Sequence, residues 1–184
     1  MPLTKLNATL GLTGSLPAVS GANLTGISAG ITMVDNWRLT TDFTGSANPV
    51  ASNWERNDTS PSVSYYGSQM TESSGIFSFP STGIYLIIFN CGWAYNGDSQ
   101  YNGVEIAVTS NNSSYVAQAV NYTHIKNVSS PTYTMLSTSA TIDVTDTSNI
   151  KARFRVVSEN SSVACKGDSS FDQTFARFIR LGDT

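Results

Sequence analysis

Few side chains in this chain of 184 residues are able to move a proton or grip a metal. Among them are one histidine, His124, two cysteines, Cys91 and Cys165, and the glutamates Glu55, Glu72, Glu105 and Glu159. His124 lies in Asn121-Tyr122-Thr123-His124-Ile125, where a solvent-facing or hydrogen-bonded strand imidazole is expected. No Gly-x-Ser-x-Gly elbow supplies it with a nucleophile, so the acyl-transfer arrangement is missing its first member. No spacing among the four glutamates singles out two as the acid and base that cleave a glycosidic bond. One histidine and two cysteines are too few for a His/Cys metal site. Gly-rich phosphate loops are absent. The expectation is therefore a protein without catalytic residues, metal or cofactor. The cysteines form no CxxC pair; they stand as two buried thiols or as one bridge, and the sequence does not separate the two.

Binding has more to work with. The segment Ala94-Tyr95-Asn96-Gly97-Asp98-Ser99-Gln100-Tyr101-Asn102-Gly103 brings rings together with amide and carboxylate groups. Rings stack on sugar faces while amides bond hydroxyls, so Tyr95, Asn96, Asp98, Tyr101 and Asn102 are candidates for a ligand loop on a rigid scaffold. The alternative is a polar hairpin whose tyrosines lie against the body of the protein.

The elements that would hold these side chains follow from composition. Ser, Thr, Asn and Gly supply 77 of the 184 residues, while Leu, Glu, Lys and Gln supply 22. Small polar and glycyl residues disfavour helix through local hydrogen bonds and backbone entropy, which leaves an all-β chain. Charged residues make up 12% and the net charge is −3, so no cationic footprint for nucleic acid exists. The longest apolar run, Ile84 to Phe89, is six residues, far short of the roughly 20 that a membrane-crossing helix needs. The opening MPLTKLNATL lacks the sustained apolar core of a secretory signal.

Residues 1–34 differ in kind from residues 35–184. The first segment has no aromatic residue, and Leu6, Leu10, Leu12, Leu16, Leu24 and Ile27 punctuate Gly, Ser, Thr and Asn without a helical or strand period. It reads as a docking arm that orders against a partner or against copies of itself, with a floppy tail as the alternative. Beyond it, Trp37, Leu39, Thr41 and Phe43 alternate with polar neighbours. So do Val104, Ile106 and Val108, and then Ile150, Ala152, Phe154 and Val156. Phe171 to Leu181 reads as a closing strand. Gly, Pro, Asn and Asp clusters separate these runs, the punctuation of an antiparallel sandwich or barrel.

The strand Ile84–Phe89 is apolar on both faces. One face fills the gap between two sheets, and with no helix to cover the other, a second subunit is the expected cover. A strand capped by the chain's own loops is the competing reading. The expected intersubunit residues are Trp37, Leu39, Tyr85, Ile87, Phe89 and Phe175. Eight Asn-x-Ser/Thr sequons occur, a number that the Ser and Thr content largely explains.

Gly75, Phe77, Pro80, Gly83 and Tyr85 spell G-x-F-x-x-P-x-x-G-x-Y, which resembles a hairpin signature of the complement-one-q/tumour-necrosis-factor jelly roll. Thr138 to Val157 is similar to the late hairpin of that family, and Ser169 to Phe175 to its closing strand, so the likeness spans residues 36–183. Asn149 stands without the usual Gly-Asp of the late turn, and Gln173-Thr174 replaces a glycine. No calcium loop and no collagenous stalk is found. The resemblance implies a two-sheet antiparallel jelly-roll sandwich of about ten strands, assembled as a homotrimer. Leu16 to Ile27 resembles arms that precede globular heads in bacteriophage fibre and capsid proteins. Together these imply a non-enzymatic virion protein, a capsid decoration or short fibre tip at the particle surface. Its partners would be itself, major capsid or tail proteins through the arm, and host surface glycan, with no nucleic acid and no membrane insertion. A secreted complement-one-q-like recognition module or lectin is the alternative, and a glycan-cleaving enzyme a more distant one.

Overall fold

Side chains in an extended chain point alternately to opposite faces, and this period organises residues 30–128 and 130–184, which the computed structural model describes. Thirteen strands follow one another: β1 (Met33–Leu39), β2 (Phe43–Thr44), β3 (Trp54–Arg56), β4 (Tyr65–Tyr66), β5 (Thr71–Ser73), β6 (Ile76–Ser78), β7 (Gly83–Tyr95), β8 (Ser99–Thr109), β9 (Tyr115–Ile125), β10 (Thr132–Val144), β11 (Lys151–Ser158), β12 (Ala164–Cys165) and β13 (Phe175–Gly182).

They form two antiparallel sheets. In the larger, β7 pairs along its whole length with β10 and also with β13, from Ile84 to Asn90, and with β12, at Trp93 and Ala94. β13 continues to β1, and β1 to β3 and β4. The smaller sheet runs β5-β6-β11-β8-β9. The expected all-β, two-sheet antiparallel jelly-roll sandwich is what the chain forms. The excess over about ten strands is made of two- and three-residue pieces, too short to carry a readable alternation.

The core fills the gap between the sheets. Tyr85, Ile87, Phe89, Cys91 and Trp93 of β7 project inward with Leu39, Ala176 and Phe178, against Phe77, Val104, Ile106 and Phe154 of the smaller sheet. Phe154 stacks on Phe89 with ring centroids 4.6 Å apart and meets Phe77 at 5.3 Å and Phe178 at 5.9 Å. Such offset and edge-on contacts add to the burial of the rings.

Four of the five positions of the hairpin signature have a physical reason. Gly75 turns β5 into β6 at φ +79°, and a Cβ there would lie 2.4 Å from the carbonyl oxygen of Val50. Its N–H donates to Glu72 Oε1 at 2.6 Å, closing the turn. Phe77 is core. Gly83 has φ +143°, and a Cβ would collide with Arg180 Nε at 2.5 Å and Gly182 O at 2.6 Å. Tyr85 is buried, and its hydroxyl donates to Ser81 O at 3.0 Å.

Three boundaries differ from expectation. The first strand opens at Met33, paired with Arg180, so Met33 and Val34 belong to the sheet although the arm was drawn to residue 34. It also stops at Leu39, and Phe43 starts a separate short strand. The closing strand begins at Phe175; Phe171 is in the exposed loop before it. The arm residues Leu6, Leu10, Leu12, Leu16, Leu24 and Ile27 lie outside the described residues.

Candidate functional site

The inward set on β7 leaves Ile84, Leu86 and Ile88 on the opposite, outer side of the larger sheet, where each is only partly covered. Register extends this surface sideways. Leu86 is opposite Ile179 of β13, and Ile179 is opposite Val34 of β1. One step along, Ile88 is opposite Arg177, and Arg177 opposite Asn36. Phe175 lies on the same side, with the Arg177 guanidinium 4.3 Å over its ring. Arg177 Nη2 donates to Asp172 Oδ2 at 2.9 Å, so the charge within this surface is paired. Tyr133 and Met135 of β10 stand exposed at 63% and 58% on the same side. A contiguous run of partly exposed apolar side chains on one sheet face is a candidate protein interface.

The expected intersubunit residues therefore need correction. Trp37, Leu39, Tyr85, Ile87 and Phe89 are buried in the chain's own core, and another subunit does not reach them in the folded head. Alternation tells that two faces exist; it does not tell which one the second sheet covers. Of the six, Phe175 alone lies on the outer side, beside Leu86, Ile88, Ile179 and Val34, which sequence reasoning missed.

A second apolar feature lies at the β9–β10 side of the sandwich. Val116 of β9 is 63% exposed although it is opposite Val108 in register. Val108, Val116, Ile142 and Ile150 line a groove of about 360 Å³. β9 itself was not anticipated: its apolar residues are mostly exposed, and a register shift at Gln118 breaks the alternation that would have announced it.

The proposed ligand loop is the β7–β8 connection, and its groups are largely engaged by other parts of the chain. Tyr95 is half-buried and its hydroxyl accepts from Asn160 Nδ2 at 2.7 Å. Asn102 is buried and accepts from Ser99 Oγ at 3.2 Å, which removes it from any ligand-facing surface. Asp98 is bound by Lys126 Nζ and accepts the Asn127 N–H at 2.7 Å. The Lys126 bond first, then that of Asn127, holds the carboxyl of Asp98 below its ordinary value of 3.8. Asn96 accepts from Ser130 Oγ at 3.2 Å. Tyr101, 44% exposed, is the member left with its ring toward solvent.

The four glutamates are dispersed. Glu55 pairs with Arg38 at 2.8 Å and Glu105 with Arg155 at 3.1 Å. Glu72 closes the β5–β6 turn, and Glu159 accepts the Gln100 N–H. Each carboxylate is thus bound to a different structural partner. Among the described residues, no group of three or more His, Cys, Asp and Glu side chains is placed to hold a metal ion. His124 is exposed on β9. The sulfurs of Cys91 and Cys165 lie 3.0 Å apart, both fully buried.

No protein-family model matches the chain, and no curated protein matches it. Solved structures do. The Eiger TNF of S. frugiperda superposes with a TM-score of 0.59 at 12% identity, covering 85% of this chain and 96% of that one. Murine APRIL, determined at pH 5.0, gives 0.57 at 13% identity, covering 81% of this chain and 98% of that one. The pH 8.5 structure of murine APRIL gives 0.54 at 12% identity with the same coverages. At such identities the likeness is one of fold: the head is a TNF-like jelly roll.

Proposed function

We propose that the protein is a non-enzymatic virion component of a bacteriophage, a homotrimeric jelly-roll knob held to the particle by its N-terminal arm. The observation that carries the assembly is the outer apolar side of the larger sheet, Ile84, Leu86 and Ile88 with Val34, Ile179 and Phe175. Covering it removes the part of these apolar side chains that is still exposed from water, at roughly 25 cal/mol per Å². The β9–β10 side offers a second, differently shaped surface, the groove lined by Val108, Val116, Ile142 and Ile150. A sheet face on one copy meeting this side on the next is a heterologous contact, and such contacts close into rings when the rotation permits. Three copies satisfy both surfaces on every subunit. The fold shared with TNF-type chains supports the same stoichiometry.

The arm supports the virion reading, through the likeness of Leu16 to Ile27 to segments that precede globular heads of phage particle proteins. Three weak arms on one trimer act together through effective concentration. Sedimentation of the purified chain tests the assembly: three times 19.7 kDa gives about 59 kDa, and a stable monomer at micromolar concentration removes it. Labelled particles viewed by electron microscopy test the location and separate a capsid decoration from a fibre tip. A virion lacking the protein overturns the reading.

A further inference from the structure

We infer that Cys91 and Cys165 are joined as an intramolecular disulfide under oxidising conditions, a bridge tying β7 to the short strand β12. Their sulfurs are 3.0 Å apart, about 1 Å longer than a covalent S–S bond of roughly 2.05 Å. Cys165 is opposite Trp93 in the β12–β7 ladder, so Cys91 is its diagonal neighbour on the same inward face. Thr174 Oγ1, also buried, lies 3.6 Å from each sulfur. No third sulfur, imidazole or carboxylate among the described residues completes a metal site there, which leaves bond formation between the two thiols as the chemistry this pair supports.

Burial, and then the neighbouring Cys165, hold the Cys91 thiol well above its usual value. The closed protein therefore keeps the Cys91 thiol protonated and inert, and reaction proceeds when β12 opens or as the chain folds. β12 contributes two residues to the sheet, between β2 and β7, and pairings this short open at low cost. The oxidant class is a low-molecular-weight disulfide such as oxidised glutathione. Cys165 as thiolate attacks one of its sulfurs and displaces a thiolate. Cys91, deprotonated in turn, attacks the Cys165 side of the mixed disulfide and releases the second small thiol. The protein loses two protons and two electrons, and the small disulfide is reduced to two thiols.

The bridge closes a loop from Cys91 to Cys165 that contains β8, β9, β10 and β11. A constraint on so long a stretch acts mainly on the unfolded chain. The test is to refold the full chain in a glutathione redox buffer, quench with acid, alkylate in denaturant and map peptides without reduction. A single linked peptide containing Cys91 and Cys165, with neither cysteine alkylated, is expected. Free or glutathione-capped cysteines in most chains, or a bridge between two chains, overturn the inference. Reduction should lower the melting temperature of the oxidised protein by on the order of 10 °C, and should leave Cys165→Ala unmoved. An equal drop in Cys165→Ala also overturns it. Where that variant fails to fold, the peptide map of the unaltered chain decides.

Discussion

Leu86 and Ile179 are opposite each other across the β7–β13 ladder, with both side chains on the outer side of the larger sheet. Their sequence neighbours Tyr85, Ile87 and Phe178 are sealed in the core. One strand thus serves two interiors, that of the chain and, in the proposed trimer, that of the assembly.

This division makes the outer face separable from folding by mutation. Leu86→Asp together with Ile88→Asp places two carboxylates where a second copy would dry them, while in a lone chain each position is partly open to water. The expected result is a folded monomer near 20 kDa, against about 59 kDa for the unaltered chain, with the strand signature of the circular dichroism spectrum kept. Sedimentation velocity reads the mass. A double variant that still sediments as a trimer takes this face out of the interface.

Core aromatics behave in the opposite way. Phe154 is fully buried and touches Phe77, Phe89, Phe178 and Trp54, the last with centroids 5.8 Å apart. Phe154→Ala removes these contacts and leaves a cavity between the sheets, at a cost of about 3–5 kcal/mol. Phe171, in the loop before β13, is 54% exposed, and Phe171→Ala stays within about 0.5 kcal/mol of the parent. Urea unfolding of the two variants checks the contrast.

Sequence patterning carried the fold class and much of the core. Alternation at Trp37, Val104 and Phe154 announced strands, and the glycine spacing of the β5–β7 hairpin announced the jelly roll. What stayed illegible was direction. Period-two patterning is symmetric between the faces of a strand, so Tyr85, Ile87 and Phe89 were placed at the interface and their neighbours Leu86 and Ile88 were passed over. Only the position of the smaller sheet breaks that symmetry. The same limit applies to Asn102, whose type fits a ligand loop and whose burial does not. The proximity of Cys91 and Cys165 is set by a ladder between residues far apart in the chain, beyond the reach of any local signal.

Two exposed turns respond to acid. Asp98 is stabilised as carboxylate by Lys126 and then by the Asn127 N–H, and Asp146 by the side chain of Asn149 and then the Ser148 N–H. Both folded values lie below the ordinary 3.8. Each contribution is therefore fully present above that value and is lost as pH falls through the lower folded one. Carboxyl carbon shifts followed by NMR should titrate below 3.8 at both positions, and the Asp98 midpoint should move back toward that value in Lys126→Ala. An unchanged midpoint in Lys126→Ala contradicts the assignment of the ion pair as the leading cause.

The arm gives the most direct separation between assembly and attachment. β1 begins at Met33, and Thr32 Oγ1 accepts from Arg180 Nη1 at 3.2 Å, so removing residues 1–29 takes away none of the described strands. Attachment through a weak arm depends on having three on one body, because two arms hold the third near its site while it dissociates and rebinds. Deletion of residues 1–29 should leave a head that sediments as a trimer and melts close to the full chain, yet no longer co-purifies with particles. The Leu86/Ile88 double variant should show the complementary defect: its arm is intact, its valency is one, and its retention on particles falls steeply with dilution. Quantifying both proteins on washed particles against total input distinguishes the cases. A truncated head that stays on particles at full occupancy places attachment in the jelly roll itself and discards the docking role of the arm.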